Sequence, residues 1–308
     1  MEVNTKLKRL REQLTGAPPV EVPKSASAFS RLIDWQADSW QLDLLNAALA
    51  KDKPYIKIAA LCARQTGKSS VCGVLACAFA MMNPGSQVCV VSPTLRQSSL
   101  IFKKVLATWK RTNKLIPGRE TALSLRLQNG SSIIALPGGN PAGLRGHTAD
   151  LLIFDEANFT SRELYGACLA FQAAVASPVL VMISTPGPSF GDFFDEWQHG
   201  VGYTRFKITG DMCPRISKEF LLSQKQRLPE AVYRAEYECE FSDREYSVFS
   251  REMIDRCVDP ELETLDDILD AAIGDVPPTH TPLPRELESD DSDDGISIDE
   301  LGFEFEDD

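Results

Sequence analysis

At 308 residues with 43% hydrophobic content the chain can bury a sizeable core, and the length allows one large domain or two modest ones. No run approaches eighteen unbroken apolar residues, the start "MEVNTKLKRLREQL" lacks the apolar centre of a signal peptide, and the eight cysteines (62, 72, 77, 89, 168, 213, 239, 257) form no C-x-x-C pair with histidines nearby. These features speak against a membrane span, a disulfide scaffold and a cysteine-bound metal, and point to a soluble intracellular protein with reduced core thiols. The net charge of −12 is unevenly placed, because residues 259–308 hold 19 acidic residues against the single Arg285, leaving +6 on the first 258. A basic body tolerates a polyanion, while an acidic tail repels it or competes with it.

Residues 1–14 have the pattern of a short helix, and "TGAPPVEVPKSASA" at 15–28 is rich in proline and small residues. Residues 1–30 therefore form an N-terminal arm and linker, with packing expected from near Phe29. Apolar bursts then alternate with helical patterns: "YIKIAALC" as a strand, 68–82 as a helix, "SQVCVVS" as a strand, 94–112 as a helix. "TALSLRL" and "SSIIALP" predict a hairpin across "QNG", followed by the strand "ADLLIFDEA", a helix near 161–175 and the strand "SPVLVMIST". Short continuous apolar strands alternating with helices predict an α/β fold over 31–205, a mostly parallel sheet flanked by helices on both faces. After "YTRFKIT", helices over 217–227 and 229–240, split by Pro229, predict a small helical lid subdomain over 206–250. Beyond Asp259 acids dominate and "VPPTHTPLP" opposes regular structure, so 251–308 is expected to be a largely disordered acidic tail.

The stretch "LCARQTGKSS" ends the first strand and opens a helix. Backbone N–H groups of such a loop, with a helix N-terminus behind them, surround an anion, while a lysine reaches the outer phosphates and a hydroxyl binds magnesium. Lys68 and Ser69 are placed for those two roles, with Gln65, Thr66, Gly67 and Ser70 completing the loop. Cys62 stands where the phosphate-loop pattern has its first glycine, a position that shapes the turn and makes no obligatory ligand contact. In "ADLLIFDEA" two carboxylates emerge at the carboxyl end of a buried strand, where ligands bind in such sheets. Asp155 is the expected magnesium holder and Glu156 the residue that polarises the attacking water, which makes the chain a P-loop NTPase using ATP and Mg2+.

In ordered combination these segments resemble the ATPase half of the large terminase subunit, the DNA-packaging motor of tailed phages. The resemblance rests on "SWQLDLL", "CARQTGKSS", "VSPTLRQSSLIF", "GLRGHTADLLIFDEA", "VMISTPG" and "YECEFSDREYSVFS", across roughly 35–250. It implies a RecA-like core, an adenine-reading Gln41, and Ser184 and Thr185 as γ-phosphate sensors in a coupling motif. It also implies an arginine that stabilises transferred charge, either Arg64 in cis or Arg145 as a finger into a neighbouring subunit. The implied partners are double-stranded DNA, a portal protein, a small terminase subunit and further copies of the chain in a ring, in host cytoplasm and transiently at the procapsid portal, with no membrane.

A terminase of this kind continues into an RNase H-like nuclease, but the 58 residues after Ser250 show no apolar strands to carry a two-metal site. The expectation is a chain that does not cut DNA and a separately encoded nuclease, which "GISIDELGFEFEDD" within 286–308 either docks or leaves alone as a solubilising tail. On 94–112, Phe102, Val105, Leu106 and Trp109 form one face and Arg96, Lys103, Lys104, Lys110 and Arg111 largely the other, either a DNA-backbone contact or a solvated face. His147 alone supports no role. The competing functional reading is a nucleotide-gated adaptor that recruits a nuclease or another partner through its acidic tail.

Overall fold

The central strands alternate between two apolar faces, which is why they look continuously hydrophobic. The computed structural model describes residues 21–50, 53–139, 144 and 146–242. In it β1 (Ile56–Cys62), β2 (Gln87–Ser92), β3 (Gly118–Glu120), β4 (Ser124–Leu127), β5 (Ser132–Pro137), β6 (Leu151–Asp155), β7 (Val179–Ser184) and β8 (Tyr203–Ile208) form one sheet. Its order is β3-β4-β5-β2-β6-β7-β1-β8, parallel from β5 to β8, with β4 antiparallel to both its neighbours. Ile58, Ala60, Leu151, Ile153, Val181 and Ile183 feed the core on one face, and Ala59, Leu61, Leu152, Phe154, Leu180 and Met182 the core on the other.

The helices are α1 (Ala26–Leu32), α2 (Ser39–Leu49), α3 (Lys68–Met82), α4 (Leu95–Arg111), α5 (Arg162–Leu169), α6 (Asp192–His199), α7 (Lys218–Arg227) and α8 (Glu230–Glu238). The first four share a core with one face of the sheet, while α5 and α6 supply Leu164, Cys168 and Phe193 to the other. Residues 71–81 of α3 are buried all round, as befits a helix held between the sheet and α4. Gly73 permits that closeness, since a Cβ there would lie 2.8 Å from the Cβ of Lys104. Leu44, Leu45, Ile101 and Phe102 are each at most 1% exposed, and burial of such side chains contributes about 1.5–3 kcal/mol apiece. Ser and Thr caps open α4, α5 and α7, where Thr94, Ser161 and Ser217 accept from Gln97, Leu164 and Phe220 N–H groups. The seven described cysteines are buried and unbridged, and burial pushes the thiols of Cys77, Cys89, Cys168 and Cys239 up to about 12.

Several local expectations change. Packing begins earlier than Phe29: α1 starts at Ala26, capped by Ser25, with Ala26 and Phe29 buried, because small residues here serve a close helix contact. The helix expected near 161–175 ends as α-helix at Leu169 and tightens into a 3-10 turn over Ala170–Gln172, where Gln172 donates to the Val179 carbonyl at 2.8 Å. Strand β3 and helix α6 are additions that their short segments did not announce. Strand β8 runs to Ile208 and pairs with Cys62, so the sheet continues past the boundary proposed at 206. The described residues all fall in one compact unit by contact, within which α7 and α8 pack on each other. The acidic tail and the helix over 1–14 lie outside the described residues, and among those residues no helix is long and apolar enough to cross a membrane.

The order of strands sets up the site. Strand β7 stands between β1 and β6, with Leu61 opposite Ser184 and Asp155 opposite Ile183, so three loops leave the sheet side by side at its carboxyl edge.

Candidate nucleotide site

The loop after β1 has the backbone of an anion cradle. Gln65 (φ 62) and Gly67 (φ 100) adopt left-handed conformations, Thr66 Oγ1 donates to the Ala63 carbonyl at 2.9 Å, and the Ser70 and Val71 N–H groups donate to the Gly67 carbonyl at 3.1 Å. Glycine is required at 67 by its φ, and also because a Cβ there would stand 2.6 Å from Gln41 Nε2. Helix α3 begins at Lys68, directing its N-terminal N–H groups to the loop, with Ser69 and Ser70 in its first turn. Cys62, paired with Ile208, is wholly buried; its thiol, pushed up by burial, acts as a small neutral hydrophobe at the start of the turn.

Two carboxylates face this loop from the end of β6. Asp155 is 4% exposed, its Oδ1 has no hydrogen-bond partner, and burial followed by the neighbouring Glu156 raises its pKa to about 7. Glu156 sits at φ 55 in the left-handed region, which non-glycine residues adopt uncommonly. Its Oε1 is 3.4 Å from Lys68 Nζ, while Oε2 accepts from Thr185 Oγ1 at 3.0 Å, Thr185 N–H at 3.2 Å and Ser184 Oγ at 3.4 Å. Asn158 extends the network, donating its N–H to Ser184 Oγ at 3.1 Å and its Nδ2–H to the Pro188 carbonyl at 3.3 Å. Ser184 and Thr185 thus hold the carboxylate of Glu156 through the intervening strand. A buried, unpartnered oxygen on Asp155 fits a cation, and oxygen donors of the kind that Asp155 and Ser69 carry suit magnesium.

The remaining predicted residues are placed differently. Arg64 is exposed; its Nη1 lies 3.2 Å from Glu236 Oε1 on α8, and its N–H donates to the Glu236 carbonyl at 2.9 Å, so the guanidinium is engaged by α8. Gln41 is buried; its Oε1 accepts from the Asp38 N–H at 3.0 Å, capping α2, while its Nε2 faces Gly67. Arg145 lies outside the described residues. His147 packs edge-on against Phe171 at 5.6 Å, on the core side served by α5. Arg215, which no motif marked, reaches both Asp38 and the Thr66 carbonyl.

A second surface concentrates charge. Arg96, Lys103 and Lys110 recur every seven residues along α4 and are exposed, as are Lys104, Arg111 and Lys114. Lys110 Nζ lies 4.0 Å from Glu120, where the helix meets the β3–β4 edge. There Arg119 and Arg126 stand directly opposite each other across the antiparallel pair, both exposed. Leu125 and Leu127, which flank Arg126, are buried in the core that α4 shares, so by alternation Arg126 and its partner Arg119 point to the other side of the sheet; residues 93–131 hold eight basic residues and one acid, Glu120, spread over both sides of this edge.

A family model described as terminase large subunit, T4-like-virus type, N-terminal, matches residues 59–256. Among curated proteins the chain is 26% identical over 224 residues to the terminase large subunit of Thermus phage G20c, an alignment covering 61% of this chain and 46% of that protein, with a similar match to that of Thermus virus P23-45. The chain therefore spans about half the length of the curated relatives it matches. Among solved structures it is similar to the large terminase ATPase domain of Thermus phage P74-26, at TM-score 0.57 and 23% identity, covering 70% of this chain and 97% of that one. It is also similar to the large terminase of another thermophilic bacteriophage, solved in complex with ADP, at TM-score 0.55 and 14% identity, covering 67% and 54%. These likenesses show the fold, the RecA-like P-loop arrangement expected from the alternation of strands and helices.

Proposed function

The chain belongs to the terminase large-subunit family, matching its N-terminal part, and on that premise we propose that it is the ATP-hydrolysing motor subunit that drives double-stranded DNA into a phage capsid. The observation that carries the reading is the convergence, from strands separated by β7, of Lys68 Nζ and Glu156 Oε1 at 3.4 Å beside the buried, unpartnered carboxylate oxygen of Asp155. The thermophilic-phage terminase solved with ADP supports a nucleotide as the ligand class.

In this reading the N–H groups from Gln65 to Ser69 and the ammonium of Lys68 hold the phosphates of ATP, with Ser70 beside them in the first turn of α3, and Gln41 lies on the side expected for the base. Ser69 and Asp155 would hold magnesium, which when bound neutralises charge on the phosphate oxygens. Glu156 orients water and accepts its proton at Oε1 once Lys68, whose Nζ lies 3.4 Å from that oxygen, is drawn to the phosphates; Oε2 is committed to Ser184 and Thr185. Those same two residues tie the state of Glu156 to the loop after β7, and Asn158 carries the tie to Pro188. Arg64 or Arg145 would complete the charge stabilisation. Duplex DNA would lie along the basic face of α4 and the β3–β4 edge, whose contacts suit a sequence-independent phosphate backbone. A ring of copies at the portal, loaded through a small terminase subunit in host cytoplasm, fits such a motor. Strand cutting is assigned to a nuclease on another chain.

The test is Glu156→Gln in the full chain. It should bind ATP as the native protein does and lose about 10²–10⁴-fold in steady-state hydrolysis, the usual worth of a general base. Hydrolysis at the native rate would remove Glu156 from the chemistry and the reading with it.

A further inference from the structure

Arg215 sits in the connection between β8 and α7, 149 residues from the loop it touches. Its Nη1 donates to Asp38 Oδ1 at 2.6 Å and its Nη2 to the Thr66 carbonyl at 2.8 Å, and a Cβ on Gly67 would stand 3.3 Å from that same Nη2. One guanidinium thus joins the N-cap of α2, the phosphate loop and the segment leading to α7. Asp38 is a firm anchor: its side chain is 10% exposed, and it caps the helix whose Gln41 presses on Gly67 from the same side.

The bond to Thr66 fixes a peptide plane. Within a trans peptide the carbonyl of one residue and the N–H of the next point in opposite directions. With the Thr66 carbonyl turned outward to Arg215, the Gly67 N–H is turned away from Arg215. Gly67, at φ 100 and without a Cβ, offers little steric resistance to rotation of that unit, so an external restraint is what keeps it in one orientation. Arg215 is about half exposed, and an exposed ion pair adds little to global stability, so its effect falls on the loop.

From these contacts we infer that Arg215 is a positioning residue for nucleotide binding, which holds the Thr66–Gly67 peptide with its N–H directed into the phosphate cradle. The inference rests on the reading of this loop as an ATP site. It touches nucleotide only through the loop, so its loss weakens ATP and ADP alike and appears in KM before kcat.

The experiment measures ATP and ADP affinity, KM, kcat and Tm for the full chain and for Arg215→Ala, Arg215→Lys, Asp38→Asn and Lys68→Ala. Arg215→Ala should raise both dissociation constants and KM about tenfold, lower kcat by less than about threefold, and leave Tm within about 2 °C. Arg215→Lys, able to reach one partner at a time, should recover part of the affinity, and Asp38→Asn, which keeps an acceptor oxygen, should lose about threefold or less. Native affinity for both nucleotides in Arg215→Ala overturns the inference, as does a loss of affinity matched by a comparable loss of Tm. If Arg215→Ala does not fold, native affinity and KM in Arg215→Lys overturn it. A native chain that binds no ATP, or a Lys68→Ala variant that binds as well as native, overturns the ATP-site reading instead, so the two failures are distinguishable.

Discussion

Asp155 shows how function and stability oppose each other at a single residue. Its oxygen is buried without a partner and its pKa is raised to about 7 from 3.8, mainly by loss of hydration. The folded state therefore binds more protons than the unfolded one between those values, and stability from this group falls as pH rises, the full penalty applying above about 7. At pH 8, Asp155→Asn should stabilise the ligand-free protein by about 1–3 kcal/mol, a rise of a few degrees in Tm by differential scanning fluorimetry, and abolish the further rise that Mg-ATP gives the native chain. A less stable variant would mean that the Lys68 charge and the Glu156 backbone hydrogen bond outweigh the loss of hydration. The positions of Lys68, Asp155 and Glu156 after β1 and at the end of β6 were legible in the sequence because apolar strand runs and the turns that end them are set within a few residues. The contacts the site residues make were not: the hydroxyls of Ser184 and Thr185 bond to Glu156, and Arg64 pairs with Glu236 of α8, partners far apart in sequence.

At the scale of elements, the β3–β4 ribbon and α4 belong together. Like charges directly opposite on an antiparallel pair destabilise it by about 0.2–1 kcal/mol, so the Arg119–Arg126 pair is a local cost that a polyanion would offset. Arg126→Glu converts it to an attractive pair. It should stabilise the protein by about 0.5 kcal/mol in urea unfolding, weaken binding to a non-specific duplex in fluorescence anisotropy, and shallow the dependence of log K on log salt by about one. Unaltered duplex affinity would take the β3–β4 ribbon out of DNA contact. The hairpin over β4 and β5 was legible because an N-G turn between apolar runs is a strong local signal. Strand β3 was not, since three residues of Gly-Arg-Glu carry no periodicity and pair only because β4 is already in place.

For the molecule as a whole, the −12 net charge is a sum of two opposed parts, and at separations beyond the Debye length only low salt lets them feel each other. Removing residues 259–308 leaves a chain of +6. That truncation should bind non-specific duplex at least several-fold more tightly than the full chain at low ionic strength, with the difference shrinking at about 0.3 M salt. Equal affinities at every salt concentration would show that the acidic segment exerts no field on the basic body. The uneven charge was visible in the sequence, whereas the gathering of the basic excess at one end of the sheet, on α4 and around the β3–β4 edge, needed the fold.

By itself the sequence determined the elements and the chemistry of their ends: alternating apolar runs specify buried parallel strands, and Gly67-Lys68-Ser69 and Asp155-Glu156 specify what leaves them, because backbone sterics, hydration and short-range charge operate within a turn or two. Only the tertiary structure decided who meets whom. Insertion of β7 between β1 and β6 brings Ser184 and Thr185 to Glu156, and the return of the chain after β8 brings Arg215 to Thr66, contacts set by strand order and by packing on both faces of the sheet. Strand order is a property of the whole core, where many burial terms are satisfied at once, and no local pattern encodes it.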